Sequence, residues 1–374
     1  MGGTKLASGN TVQELQKLGQ SIWLDFIRRT LVTSGELQQL VDAGLRGMTS
    51  NPTIFEKAIA GSCDYDEAIR KALAADPAIT TVALYERLTI EDIQMAAGVL
   101  RPVYDASGGA DGFVCFEVAP DLAYDTQVTI SEARRLWKAI ARPNLMIKVP
   151  GTKEGILAIE TLIAEGINVN VTLMFSLAHY EAVAQAYIRG IEKNKNPKNV
   201  GSVASFFVSR VDTLVDKELE RKGSPEALAL RGKAAIANCR IVYQRFQELF
   251  ESASFKKLQE RGARVQRPLW ASTGTKNPAY SDVLYVDELI APHTVNTLPP
   301  ATLDAFRDHG AVKQTLTGRV EEARQVFAAL AKAGIDLTSI TETLQRQGVT
   351  LFADSYKQLL TALDAKRKKI QDAR

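Results

Sequence analysis

Eight short apolar runs, each followed by a stretch of helical period, set the strongest constraint on how this chain folds. They are Ser21 to Ile27, Leu45 to Thr49, Phe113 to Val118, Leu145 to Val149, Ile167 to Phe175, Ser202 to Ser209, Pro268 to Ser272 and His293 to Leu298. Between them lie segments such as 155–164 and 178–191, whose apolar positions recur at helical spacing. Strands that alternate with helices pair in parallel, because a parallel neighbour is reached only by a long crossover. Eight such units in 374 residues predict an α/β fold closed into a (β/α)8 TIM barrel, with an open doubly wound sheet as the alternative that strand count alone leaves standing.

The connections are unequal. Residues 52–102 and 211–261 read as helical elaborations, the second interrupted by a helix–helix turn at Arg221-Lys-Gly-Ser-Pro225. A long C-terminal helical stretch runs from Ala311 to Lys368, and its basic run Lys366-Arg-Lys-Lys369 reads as a solvated helix end. With no internal repeat and no low-complexity linker, residues 1–374 are expected to form one domain.

Composition narrows the function classes. Lys plus Arg total 46 against 43 Asp plus Glu, so a formal charge of +3 offers no electrostatic case for nucleic acid as the main partner. Cys63, Cys115 and Cys239 are far apart with no CxxC pair, which suits a reducing compartment. The opening residues are too polar for a signal peptide, and no apolar run approaches the ~20 residues of a membrane span. The expectation is a cytoplasmic protein with no membrane partner.

Strand parity carries the functional signal. One face of the strands is apolar, whereas the other collects Asp25, Glu117, Lys148, Asn170, Thr172 and Ser205, with Phe207 on the same parity as Ser205. Burying an unpaired charge costs several kcal/mol, so one such residue reads as a structural ion pair, and several converging from successive strands read as a site. Lys148 precedes Val149-Pro150 and Glu117 precedes Val118-Ala-Pro120, placing both near the C-terminal strand ends where barrel active sites are built. No metal site is expected, since His179, His293 and His309 lack ligand-spaced partners, and no GxGxxG or Walker-A loop is present. A lysine in an apolar strand beside carboxylates suits covalent carbonyl catalysis: desolvation favours a neutral amine, which attacks a ketone to form a Schiff base while carboxylates move the protons.

The segments that carry these residues resemble the transaldolase family in order. They are Ser21-Ile-Trp-Leu-Asp25, Thr49-Ser-Asn-Pro-Thr53, Phe116-Glu-Val118, Leu145-Met-Ile-Lys-Val-Pro150, Ile167-Asn-Val-Asn-Val-Thr-Leu-Met-Phe-Ser176 and Ser205-Phe-Phe-Val-Ser-Arg210, and the resemblance covers roughly residues 1–280. The extended helical regions are similar to the longer subfamily, which occurs alone or fused to a glucose-6-phosphate isomerase. The resemblance implies Schiff-base transfer of a dihydroxyacetone unit from sedoheptulose 7-phosphate or fructose 6-phosphate to an aldose phosphate, in the non-oxidative pentose phosphate pathway. It implies no metal and no organic cofactor, small sugar phosphates as partners, and a monomer or homodimer.

Residue by residue, the resemblance makes Lys148 the Schiff-base lysine, Glu117 the carboxylate acting through a bound water, and Asp25 the base in carbon–carbon cleavage. Asn51, Asn170, Thr172 and Ser205 match positions that hold substrate hydroxyls or that water, and Arg210 matches the main phosphate ligand. Phe207 stands where related aldolases carry a tyrosine. Many relatives have a second arginine after the seventh strand; here Trp270-Ala-Ser-Thr-Gly-Thr-Lys276-Asn277 supplies Lys276, and after it Ser272, as phosphate candidates. The rival readings are a fructose-6-phosphate aldolase-like class I aldolase, which releases free dihydroxyacetone, and a non-catalytic sugar-phosphate-binding barrel.

Overall fold

The computed structural model describes residues 10–372. Its strands are β1 (Gln20–Asp25), β2 (Gly47–Thr49), β3 (Phe113–Glu117), β4 (Leu145–Pro150), β5 (Val169–Met174), β6 (Ser202–Phe207), β7 (Arg267–Ala271) and β8 (Thr294–Leu298). They pair in parallel in sequence order, and β8 returns to β1 to close the barrel, so the open-sheet alternative is set aside. All eight apolar runs of the sequence became strands because each is flanked by a helix that covers its outward face.

The chain turns from strand into helix within a few residues. Asp125, Thr152 and Ser176 cap the helices Thr126–Ile140, Lys153–Ala164 and Leu177–Lys193, each accepting a hydrogen bond from a first-turn N–H. These caps leave the C-terminal ends of β3, β4 and β5 side by side on one rim.

The barrel floor is filled by rings. Trp23 and Phe113 are buried with centroids 6.2 Å apart, and the indole N–H of Trp23 donates to Asp111 Oδ1 at 2.7 Å. The indole fits because β2 carries Gly47 beside it: a Cβ there would lie 2.5 Å from the ring. This aromatic floor closes the barrel below the layer that holds Lys148.

Two connections between strands are built up with helices. Helices Pro52–Ala60, Asp66–Ala75 and Thr81–Ala106 fill the β2–β3 connection. Helices Ser209–Lys222, Pro225–Leu228, Ala234–Phe250 and Ala253–Glu260 fill the β6–β7 connection, with Gly223 at φ 70 and Ser224 capping the next helix at the expected turn.

The expected long C-terminal helix is present as Leu337–Asp372, and the region departs from expectation in two details. The stretch from Ala311 to Lys368 is not continuous: helix Pro300–His309 is followed by coil, then by helices Val320–Lys332 and Leu337–Asp372. The second break is a Schellman turn. Gly334 takes φ 70, its N–H bonds Ala331 O, and Ile335 N–H bonds Leu330 O at 3.0 Å. The basic run is only half solvated. Lys366 donates to the carbonyls of Ile59 and Ser62 and pairs with Asp66, while Arg367 donates to Ile79 O, leaving Lys368 and Lys369 exposed. These cations satisfy carbonyls near the ends of neighbouring elements, and so they tie the last helix to the elaboration after β2.

Replacing Gly47 with alanine should push its Cβ into the Trp23 indole, a rigid contact in a packed floor. We expect Gly47→Ala to lose about 1–3 kcal/mol of unfolding free energy in urea titration. Unchanged stability would mean that the floor is not packed as described.

Candidate active site

Register brings the ionisable residues to one level. Glu117 of β3 pairs with Lys148 of β4, and Lys148 pairs with Asn170 of β5, so all three project into the barrel at the same height. Lys148 Nζ donates to the Ser50 carbonyl at 2.7 Å and to Glu117 Oε2 at 3.4 Å. Lys148 and Glu117 are both buried, at 6% and 8% exposed, so the ion pair sits in the interior and away from bulk water.

Asp25 stands on the other side of the barrel and is held through a hydroxyl chain. Thr49 Oγ1 donates to Asp25 Oδ1 at 2.7 Å and lies 2.7 Å from Thr297 Oγ1. Burial pushes the Asp25 carboxyl above its ordinary pKa, against the Thr49 hydrogen bond and the nearby Lys148 and Lys276 charges. Burial also raises Glu117; Lys148 opposes that shift and Asp25 adds to it. Glu117 Oε1 and Thr172 Oγ1 are buried polar atoms without a partner among the described residues, which leaves hydrogen-bonding capacity directed at a ligand or water.

Beside the lysine, Ser205 Oγ donates to Asn170 Oδ1 at 2.6 Å, and the Asn170 amide donates to Cys115 Sγ at 3.3 Å. Burial pushes the Cys115 thiol up to about 12, so it stays protonated and does not compete with Lys148 as a nucleophile.

Nine of the eleven residues expected from sequence line one cavity of about 140 Å³: Asp25, Asn51, Lys148, Thr172, Ser205, Phe207, Arg210, Ser272 and Lys276. The other two, Glu117 and Asn170, adjoin it through Lys148 and Ser205. Asn51 also caps helix Pro52–Ala60 through Oδ1, accepting from Ile54 N–H at 2.9 Å, and its amide nitrogen has no partner among the described residues. The ring of Phe207 lies 5.3 Å from Phe175, and the Arg210 guanidinium lies 5.5 Å from the Phe207 centroid.

Arg210 is half-buried, burial lowers its pKa, and neither it nor Lys276 has a carboxylate partner among the described residues. Arg210 opens the helix Ser209–Lys222, whose first turn has no side-chain cap. Arg210 in the first turn of an uncapped helix, with Lys276 lining the same cavity from the loop after β7, makes a setting suited to an anion. Two non-glycine residues with left-handed backbone, Leu173 at φ 61 and Ser272 at φ 56, sit at the ends of β5 and β7 on this rim. Such strain, of order 1–3 kcal/mol each, gathers where a site over-determines its geometry.

Sequence reasoning missed Thr49, Thr297 and Phe352, all of which line the cavity. Strand parity could have found the two threonines, because Asp25 pairs with Thr49 across β1–β2 and both project inward. Phe352 comes from helix Leu337–Asp372 and carried no local signal.

A parallel eight-stranded barrel with an inward lysine beside buried carboxylates carries the groups that Schiff-base chemistry on a carbonyl substrate requires. Among the described residues, no group of three His, Cys, Asp or Glu could hold a metal ion. No helix there is long and apolar enough to cross a membrane. The family model described as Transaldolase/Fructose-6-phosphate aldolase matches residues 22–363. A protein named Transaldolase from Mycobacterium marinum is 50% identical, the match covering 96% of this chain and 98% of that protein. One of the same name from Frankia alni is 49% identical over 94% of this chain and 96% of its own length. The chain belongs to the transaldolase/fructose-6-phosphate aldolase family.

If Asp25 acts as the base, its raised pKa keeps it protonated to higher pH, so activity should fail on acidification before the ordinary carboxylate range, about 4, is reached. The Thr49 hydroxyl favours charged Asp25, and Thr49→Val should therefore move the acid limb of the kcat/KM profile further up. A limb that stays in place, or moves down, would contradict the Asp25–Thr49 link.

Proposed function

We propose that this barrel is a transaldolase, a transferase that moves a dihydroxyacetone unit from a ketose phosphate to an aldose phosphate. The observation that carries the reading is Lys148 Nζ, buried 3.4 Å from Glu117 with Asp25 lining the same cavity. The donor is sedoheptulose 7-phosphate or fructose 6-phosphate, and the setting is the non-oxidative pentose phosphate pathway in the cytoplasm, with the chain acting as monomer or homodimer.

In this reading the Lys148 amine attacks the ketone carbon, and Glu117 moves protons as the carbinolamine loses water to give the iminium. Asp25 removes the hydroxyl proton next to the scissile bond, the carbon–carbon bond breaks, and its electron pair enters the iminium to form an enamine. The aldose phosphate leaves, an acceptor aldehyde takes its place, and the same steps run in reverse. Asn51, Asn170, Thr172 and Ser205 hold substrate hydroxyls and the water displaced at Lys148; the unpartnered Thr172 Oγ1 and Glu117 Oε1 support that assignment. Arg210 and Lys276 bind the phosphate, supported by their lack of a carboxylate partner among the described residues and by the uncapped helix start at Ser209. Phe207 offers the enamine no acidic hydrogen, which favours transfer over release of free dihydroxyacetone.

Borohydride added with fructose 6-phosphate should inactivate the protein and add the substrate-derived mass to the peptide that contains Lys148. Lys148→Ala should show neither effect and no transfer to erythrose 4-phosphate. Labelling of another lysine, or retained transfer in Lys148→Ala, would overturn the assignment.

A further inference from the structure

The helix Leu337–Asp372 buries Leu344, Gly348, Phe352, Leu359 and Leu363, spaced so that they share one face. That face lies across the C-terminal rim of the barrel. Gln345 Nε2 fixes it there by donating to Gly151 O at 3.1 Å and Leu173 O at 3.0 Å. At Gly348 a Cβ would lie 2.7 Å from Leu173 Cδ2, so the helix backbone rests directly on the end of β5. One turn further, Phe352 points into the cavity. Beyond it, Thr53 Oγ1 donates to Ser355 Oγ at 2.9 Å, and Tyr356 meets Tyr85 edge-on at 5.5 Å, pinning the next turn to the elaboration after β2.

Phe352 is 7% exposed and lines the cavity with Lys148. Its ring centroid lies 6.5 Å from that of Phe207 and 6.0 Å from Lys148 Nζ. Two apolar rings from distant parts of the chain therefore meet in the cavity, and that of Phe352 faces the reacting amine. At that distance the ring of Phe352 is also within reach of the positive charge that an iminium places on Lys148.

The chemistry gives the placement a consequence. An enamine on Lys148 can form a carbon–carbon bond with an acceptor aldehyde, or it can take a proton on carbon to become an iminium. Water then adds to that iminium, the carbon–nitrogen bond breaks, and free dihydroxyacetone leaves with Lys148 restored. Both routes end with water adding to an iminium, so what sets the second apart is the proton taken on carbon, which arrives through solvent. A packed ring that keeps solvent from the enamine carbon suppresses that protonation and leaves addition to an acceptor aldehyde in place.

We infer that Phe352 is a specificity-determining residue: its ring, carried by the C-terminal helix, closes the barrel mouth over Lys148 and favours transfer over release of dihydroxyacetone. The inference rests on the transaldolase reading and adds to it a residue outside the barrel strands and their connecting loops. The bland alternative is that Phe352 only anchors the helix.

The test measures transfer to erythrose 4-phosphate and release of dihydroxyacetone from fructose 6-phosphate in wild type, Phe352→Ala and Phe352→Leu, with borohydride trapping and thermal melting on each. Phe352→Ala should raise the release-to-transfer ratio by a factor on the order of 10 while still trapping substrate on Lys148. Phe352→Leu, which keeps most of the apolar volume, should keep the release-to-transfer ratio within about twofold of wild type. An unchanged ratio in folded Phe352→Ala leaves the ring as a helix anchor and overturns the inference. So does loss of trapping in both folded variants, which would make the ring a binding element. Wild type that traps substrate but transfers nothing to erythrose 4-phosphate would instead reject the transaldolase reading itself, so the two failures are distinguishable.

Discussion

Nitrogen Nζ of Lys148 lies 2.7 Å from the Ser50 carbonyl and 3.4 Å from Glu117, inside a barrel wall where an unpaired charge would cost several kcal/mol. The surrounding structure answers that cost through geometry. Parallel register sets Glu117, Lys148 and Asn170 at one height, and the buried rings of Trp23 and Phe113 close the space beneath them. Phe352 faces the amine from the C-terminal helix, and Phe207 meets it in the same cavity. The polar layer of the site is thus held between an aromatic floor and an aromatic mouth.

The carboxylates differ because their surroundings differ. Glu117 touches the lysine and has one oxygen without a partner, whereas Asp25 is held by Thr49 and faces the cavity from β1. Burial raises both pKa values, yet only Glu117 is in direct contact with the nitrogen. That asymmetry is the physical basis for giving them separate proton-transfer tasks.

Much of this was legible in the sequence because a barrel strand alternates. Asp25, Glu117, Lys148, Thr172 and Ser205 interrupt one parity of apolar runs, and a two-residue period cannot hide a charge in a buried strand. Thr49 and Thr297 obey the same parity, but β2 is only three residues long and β8 carries Thr294 and Asn296 on its other parity, so neither threonine stands out within its own strand as Thr172 does. Phe352 was illegible for another reason: a phenylalanine on an amphipathic helix looks the same whether it meets a core or a substrate. Its place depends on Gly348 and Gln345 meeting Leu173, a contact across nearly half the chain. The basic run at 366–369 misled because a cation pattern on a helix says nothing of the carbonyls it will meet.

The division of labour between the carboxylates is the claim on which the account turns, and single-turnover borohydride trapping of Asp25→Asn and Glu117→Gln with fructose 6-phosphate measures it directly. Asp25→Asn should form the Schiff base and accumulate it, since cleavage needs the hydroxyl deprotonated, while Glu117→Gln should trap substrate more slowly than wild type. Equal rates of imine formation in both variants and wild type, with no accumulation in Asp25→Asn, would contradict it.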